Sequence, residues 1–265
     1  MFAMVDSFWR NRHLILQLTK REVISRYRGS LAGLAWSFFT PLLMLAVYTF
    51  FFSVVFQARW GGAEGDRAAF AVFLFVGILV HGILAECINR APTLILGNVN
   101  YVKRVVFPLE VFPMVAMGSA LFHAAISLLV LLTIQLLLDH RVPMTSVYFP
   151  VVVLPLVVMT MGIAWFLAAV GVYVRDIGHT TVVITTILLF TSPVFYPVSA
   201  MPEPYRSWMI INPLTFIIEQ SRAVLILGEA PDWIGLGRYL MVGFVCAWLG
   251  YWAFQRMRRG FADVL

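Results

Sequence analysis

The chain has 265 residues, of which 61% are hydrophobic and only 12% charged, with a mean hydropathy of +0.89. Soluble domains carry about twice that share of charge, so an ordinary water-soluble enzyme or binding module is excluded and a polytopic membrane protein is indicated. The net charge of +6 and pI near 9.6 would suit a nucleic-acid partner, but the placement of the basic residues, taken below, assigns them to membrane orientation.

Residues 7–28 contain no Pro or Gly and stop at Gly29, which predicts a capped helix. On a helical wheel Arg10, Gln17, Arg21 and Arg28 form one stripe, with Phe8, Trp9, Ile15, Leu16, Val23 and Tyr27 broadly opposite. Arg12, Lys20 and Arg26 interrupt the apolar side, where long basic side chains can snorkel. The pattern predicts an amphipathic helix at the membrane interface, within an N-terminal unit of residues 1–33. Its end, KREVISRYRGS (20–30), supports two readings. It is either a basic segment contacting lipid phosphates, with Glu22 and Arg26 paired one turn apart, or a docking face for a partner.

Six apolar stretches then follow, at about 34–56, 69–88, 111–138, 148–174, 180–197 and 239–254, each read as a membrane span. The first begins too far into the chain, and is too long, for the apolar region of a cleavable signal peptide. The fifth is the least regular, since it holds Thr185, Thr186, Thr191, Ser192 and Pro193. Residues 208–227 are broken by Asn212-Pro213 and carry Glu219 and Arg222, so they read as a re-entrant hairpin, not a seventh span. The expected fold is therefore all-α. A permease domain at 34–257 holds six transmembrane helices, a hairpin lies between spans five and six within 198–238, and a short tail covers 258–265.

With the N-terminus inside, the inside segments hold Arg10, Arg12, Lys20, Arg21, Arg26, Arg28, Arg90, Lys103, Arg104, Arg175, Arg256, Arg258 and Arg259. The outside segments hold Arg59, Arg67, Arg141, Arg206, Arg222 and Arg238. This excess of inside charge predicts that both termini are cytoplasmic.

Several residues could carry chemistry, each beside a plainer reading. Tyr48, Phe52 and Phe56 recur every four residues, as rings that stack on sugar C–H faces would, or as rings that pack helices would. Thr181, Thr185 and Ser192 share a helical face that either lines a wet channel or bonds neighbouring helices. His81, Glu86 and His123 are ionisable groups inside apolar spans. His81 and Glu86 have a crude H-x4-acid spacing without any supporting second motif. Cys87 and Cys246 lie in apolar runs without metal-ligand spacing and are read as packing residues, and no metal site is expected.

The stretch KREVISRYRGSLAGLAWSFFTPLLMLAVYTFFFSVVF is similar to the N-terminal signature of type 2 ABC-transporter permeases that export polysaccharides. These include the Wzm-type O-antigen, capsule and teichoic-acid permeases. NVNYVKRVVFPLEVFP (98–113), YVRDIGH (173–179), LLFTSPVFYP (188–197) and INPLTFIIEQSRAVLILG (211–228) resemble the same family in the same order. The resemblance implies a non-catalytic permease of the bacterial inner membrane, acting as a homodimer with two ATPase subunits. Those subunits would bind the ATP and magnesium; this chain has no G-x-x-x-x-G-K-[ST] loop of its own. The implied substrate is a polyprenyl-diphosphate-linked polysaccharide, with membrane lipids as neighbours and no nucleic acid.

By the same resemblance, 98–108 is a cytoplasmic coupling helix with Asn98, Tyr101, Lys103, Arg104 and Phe107 at the ATPase. Arg175 and Asp176 are either an interfacial ion pair or a second docking element. The resemblance places spans one and five at the pore. It makes Pro193, Pro197, Glu219 and Arg222 part of an outer gate, with Glu219 and Arg222 paired one turn apart. A diphosphate needs cationic neighbours, for which Arg10, Arg21 and Arg28 are candidates. Two alternatives stand beside this one: a permease of the same fold for a drug or lipid, and a membrane-embedded transferase on polyprenyl lipids using His81 and Glu86.

Overall fold

In a computed structural model the protein is built of helices, with no strand among the described residues. Those are 2–30, 32–51, 67–103, 107–138, 141–203, 206, 209 and 212–265. Helix α1 (Phe2–Arg26) is followed by a turn in which Gly29 has φ +86° and Gly33 has φ +51°. Residues with a Cβ avoid these left-handed values, so the two glycines end α1 and redirect the chain. Helix α2 (Trp36–Tyr48) follows, then α3 (Arg67–Arg90), the four-residue α4 (Val99–Val102), α5 (Val111–Leu138) and α6 (Phe149–Tyr173). The last main helices are α7 (Ile177–Thr191), α8 (Pro213–Arg222) and α9 (Trp233–Met257).

Among the described residues, five helical stretches are long and apolar enough to cross a membrane: Gly33–Phe51, Phe70–Thr93, Val111–Leu137, Met144–Tyr173 and Trp233–Val264. The sequence pattern predicts six, and α7 makes the difference. Its 15 residues rise about 22 Å, short of a hydrocarbon core of about 30 Å. The cause is local. Ser192 precedes Pro193 and adopts φ −98°, ψ 160°, because a proline ring crowds the helical conformation of the residue before it. The expected span 180–197 is thus a short helix followed by a turn.

Asn212 joins this turn to α8. Its amide Nδ2 donates to the Leu188 carbonyl at 3.3 Å and to Thr191 Oγ1 at 3.1 Å, at the end of α7. Its Oδ1 accepts from the Leu214 N–H at 2.9 Å as the N-cap of α8, with Pro213 in the first turn. Helix α8 widens into a π-helical turn, Ala223–Leu227, that ends at Gly228 with φ +72°. A π turn leaves backbone carbonyls off the usual ladder. Gln135 donates to the Leu225 carbonyl at 2.8 Å, and Thr145 to that of Val224 at 2.7 Å. Buried Leu214, Ile217, Ile218, Val224 and Leu225 make this segment part of the core.

Two apolar clusters hold the bundle. One joins α3, α5, α6 and α8 through residues such as Leu79, Leu84, Leu131, Leu156 and Ile217. The other, at the α1 end, collects Ile15, Ile95, Phe112, Trp165, Phe254 and Phe261. Helices α6 and α9 touch through small residues: a Cβ on Gly162 would strike the backbone of Cys246, and one on Gly250 the backbone of Gly162.

Helix α1 lies along α5. Ser7 meets Glu110, Thr19 packs on Gly118 and Tyr27 reaches His123. A Cβ on Gly118 would lie 2.7 Å from Thr19 Oγ1, so glycine is what lets the helices approach. The predicted apolar side is therefore split. Ile15 and Val23 are buried in the protein, while Trp9 and Leu16 remain exposed beside the exposed Arg10, Gln17, Arg21 and Arg28 stripe. Helix α2 is held lightly: only Ser37 and Leu45 are buried in it.

Candidate functional site

Polar residues gather at three places on this scaffold. The first is centred on Glu86 of α3. Arg26 Nη1 donates to Glu86 Oε1 at 2.5 Å, and His123 Nδ1 lies 2.9 Å from both carboxylate oxygens. The other ring nitrogen, Nε2, lies 3.0 Å from the Tyr27 hydroxyl. Burial raises the Tyr27 phenol above its ordinary pKa and keeps it a donor. Arg90 bridges Glu22 directly and lies 3.9 Å from Glu86. The expected Glu22–Arg26 pair within α1 is replaced by these two cross-helix pairs. The reason is geometric: α3 presents Arg90 and Glu86 one turn apart, opposite to them in sign.

The second place is Glu110, just before α5. Its buried carboxylate accepts from Ser7 Oγ at 3.1 Å and from Arg258 Nη1 at 2.8 Å. Arg258 Nη2 also donates to the Phe107 carbonyl at 3.0 Å, and Trp165 Nε1 to the Glu110 carbonyl at 3.0 Å. One acidic side chain thus ties the start of α1 to the segment before α5 and to the C-terminal tail. Sequence reasoning missed it. A glutamate inside PLEVFP, with apolar residues around it, was the available signal.

Between these nodes lies the 98–108 segment. Among its described residues the α-helix is Val99–Val102. Asn98 Nδ2 donates to the Leu94 carbonyl at 2.9 Å. Tyr101 packs tilted against Phe107 at 4.6 Å and edge-on against Phe112 at 5.7 Å, and Phe107 stacks on Phe112 at 5.3 Å. These rings brace the segment, whereas Lys103 is exposed. Arg104 falls outside the described residues. Arg175 and Asp176 are exposed at the start of α7 and make no ion pair with each other, so the interfacial-pair reading is not what the structure holds.

The hydroxyl face of α7 points into the protomer, not out of it. Thr181, Thr185 and Ser192 are buried, and Thr185 Oγ1 donates to Asn89 Oδ1 at 3.1 Å. His81 Nε2 lies 2.9 Å from the Thr185 carbonyl, fastening α3 to the same helix. Periodicity identified the face correctly, but these three residues bond neighbouring backbone and helix and line no open surface. On the other side Tyr48 packs edge-on at 6.4 Å from Phe195, which stacks 5.4 Å from Phe190. Phe52 and Phe56 lie outside the described residues.

The third place is Arg222, 1% exposed. Its guanidinium donates to the Phe73 carbonyl from Nε at 3.1 Å and Nη2 at 3.0 Å, to the Val194 carbonyl at 3.2 Å, and to Glu219 at 2.9 Å. The expected Glu219–Arg222 pair is present, and the larger part of the arginine's bonding goes to α3 and the α7–α8 turn. Gly77 leaves the room: a Cβ there would sit 3.0 Å from the Val194 backbone and 3.3 Å from Arg222 Nη2. Pro193 is buried and Pro197 half-buried in the same turn.

Residues 13–226 match the family model described as ABC-2 type transporter, which covers well over half of the 265 residues. The chain belongs to the ABC-2 type transporter family. It is 29% identical over 265 residues to the O-antigen export system permease protein RfbA of Myxococcus xanthus, covering 99% of each chain. It is 22% identical over 254 residues to a Klebsiella pneumoniae protein of the same name, covering 95% of each. It is 22% identical over 233 residues to the polysialic acid transport protein KpsM of Escherichia coli, covering 87% of this chain and 88% of that one. The family match spans the Glu86 cluster, the 98–108 segment and the Arg222 turn. Ser7 and Arg258, which hold Glu110, lie outside it.

Proposed function

We propose that this ABC-2 protein is the permease subunit of an exporter for a polyprenyl-diphosphate-linked polysaccharide of O-antigen type. A separate ATPase subunit drives it across the inner membrane. The observation that carries the reading is the near-complete match, 99% of both chains, to a protein named as an O-antigen export permease. Both termini are cytoplasmic in this reading, consistent with the basic residues on the α1 side of the bundle. Helix α1 then rests at the interface on Trp9 and Leu16, with its basic stripe toward water and lipid phosphates.

The ATPase docks on the same side, against exposed Lys103 with Asn98 and Arg104, and against exposed Arg175 and Asp176. Tyr101 and Phe107 keep that surface in shape from within. Arg21 and Arg28 lie exposed with Lys20 around the end of α1, a cationic setting for a diphosphate, and Arg10 lies farther back along the helix. In this reading the protein works as a homodimer, as the family resemblance implies, and the unburied apolar residues of α2, among them Phe39, Leu43 and Val47, face lipid or the second copy. The α8 hairpin and its Arg222 turn form the outer gate, re-entrant at the far side.

The transferase reading loses support. His81 and Glu86 bond to different groups, Thr185 on one side and Arg26 with His123 on the other. A second polymer class, a capsule, is favoured only by the match to a polysialic acid transport protein. Deletion of the gene tests the proposal. The strain should lose surface polysaccharide and accumulate it inside, with lipopolysaccharide-linked chains lost for O-antigen and free chains lost for capsule. Undiminished surface polysaccharide of both kinds would refute it.

A further inference from the structure

Glu86 and Arg90 of α3 face Arg26 and Glu22 of α1 as two rungs of an antiparallel ladder. Each helix carries Glu and then Arg four residues later, so that their antiparallel run sets each acid against a base. Slipping α1 by one turn along α3 would set Arg26 against Arg90, or Glu22 against Glu86. Like charges would then meet, so the ladder accepts one register and repels its neighbours. Glu86 is the more buried of the two acids, with a side chain 17% exposed against 40% for Glu22. It gathers Arg26, His123 and Arg90, and so adds α5 to the joint.

The place of this joint in the chain gives it a consequence. The last buried apolar residue of α1 is Val23. Beyond it the described ties are Arg26 to Glu86 and Tyr27 to His123. The chain then turns through Gly29 and Gly33 into α2, where only Ser37 and Leu45 are buried. Where Arg26 and Tyr27 are held therefore sets the start of α2, whose further course follows its packing on α5 and α3.

We infer that Glu86 is a positioning residue for export: it fixes the register of the α1 end on α3 and α5, and through the Gly29–Gly33 turn sets the start of α2. The role rests on the proposed export function and deepens it. Glu86 touches neither polysaccharide nor nucleotide; it acts through Arg26. Glutamine at this position keeps the shape but offers a single acceptor oxygen and turns two donors toward a cluster already rich in donors.

The experiment uses the full permease co-purified with its ATPase, together with surface polysaccharide measured in the complemented deletion strain. Glu86→Gln, Arg26→Gln and the double variant are compared for complex yield, ATP turnover and glycan exported per ATP hydrolysed. The expected result for Glu86→Gln is wild-type yield and turnover with export per ATP down about tenfold, an ordinary coupling strength between sites. Arg26→Gln, which removes a half-exposed partner, should match it, and the double variant should be no worse than either. Export per ATP close to wild type in Glu86→Gln would overturn the inference. So would single losses that multiply in the double variant, or a joint fall of yield, turnover and export in both single variants. A wild-type gene that fails to restore surface polysaccharide would instead overturn the export reading itself.

Discussion

Replacing Arg222 by methionine keeps most of the side chain's volume and removes its donors, which makes it a direct test of what the Arg222 turn is worth. Among the described residues the guanidinium bonds the Phe73 carbonyl twice, the Val194 carbonyl and Glu219. Phe73 lies within α3 and retains its helical partner, so its loss is the net value of bonds from a charged donor, about 1.5–3 kcal/mol. The Val194 carbonyl sits in a turn and would be left buried with less company, costing about 1–3 kcal/mol. Together these give about 2.5–6 kcal/mol, which brackets the loss of about 3–5 kcal/mol seen when one member of a buried charged pair is removed. At about 2–4 °C per kcal/mol for a chain of this size, Arg222→Met should melt about 5–25 °C below wild type. Glu219→Gln is the control. Its side chain is 44% exposed, so the lost pair rehydrates and costs at most about 1 kcal/mol. Thermal unfolding of the purified protein in detergent reads both. Equal shifts for Arg222→Met and Glu219→Gln would show that the arginine's carbonyl bonds carry no weight and that the surface pair is the only interaction that matters.

Two further substitutions test the α1 side. Gly118→Ala places a Cβ 2.7 Å from Thr19 Oγ1 and 2.9 Å from its Cγ2, which should destabilise by about 1–3 kcal/mol as overpacking does. Thr19→Gly should recover most of that loss when combined with it, and a double variant no more stable than Gly118→Ala would rule out the contact. Lys103→Glu reverses an exposed charge, so the melting temperature should stay within the about 0.5 kcal/mol expected of surface changes while recovery of the ATPase falls sharply. Tyr101→Asp should lower both, since its ring packs against Phe107 and Phe112; full ATPase recovery with Lys103→Glu would remove that surface from the interface.

The parts of this architecture that were legible in the sequence are those set by local chemistry. The Arg10, Gln17, Arg21 and Arg28 stripe follows from helical period alone, and it is exposed as expected. The Asn212-Pro213 break is a helix start because asparagine caps and proline fits the first turn. What was not legible depended on a partner distant in the chain. Thr181 and Thr185 mark a face of α7, but periodicity does not say whether the face meets solvent or α3; Asn89 and His81 decide that. Glu22 and Arg26 have the spacing of a helical pair, yet α3 offers each a better one. The length of α7 was misjudged because hydropathy continues through Pro193, while the backbone obeys the proline and stops.

The burial of those hydroxyls changes what a sugar path through this protein would be made of. With Thr181, Thr185 and Ser192 turned inward, the open side of α7 presents Val183, Ile184, Ile187 and Phe190 together with Thr180, Thr186 and Thr191. Each of those three threonines already spends its hydroxyl proton on its own helix, bonding the carbonyls of Asp176, Val182 and Ile187 at 3.4, 2.8 and 2.8 Å. Such a wall offers a polysaccharide apolar and aromatic contact but few free donors. Conduction requires contact favourable enough to admit the substrate and weak enough to release it. In the proposed export reading, a face of aliphatic side chains, the Phe190 ring and self-bonded threonines would meet that requirement for a long polar chain, where an array of free hydroxyls would hold each sugar in turn. Tyr48, Phe195 and Phe190 form an aromatic group at the end of α7, where α2 meets the turn that leads to the Arg222 node.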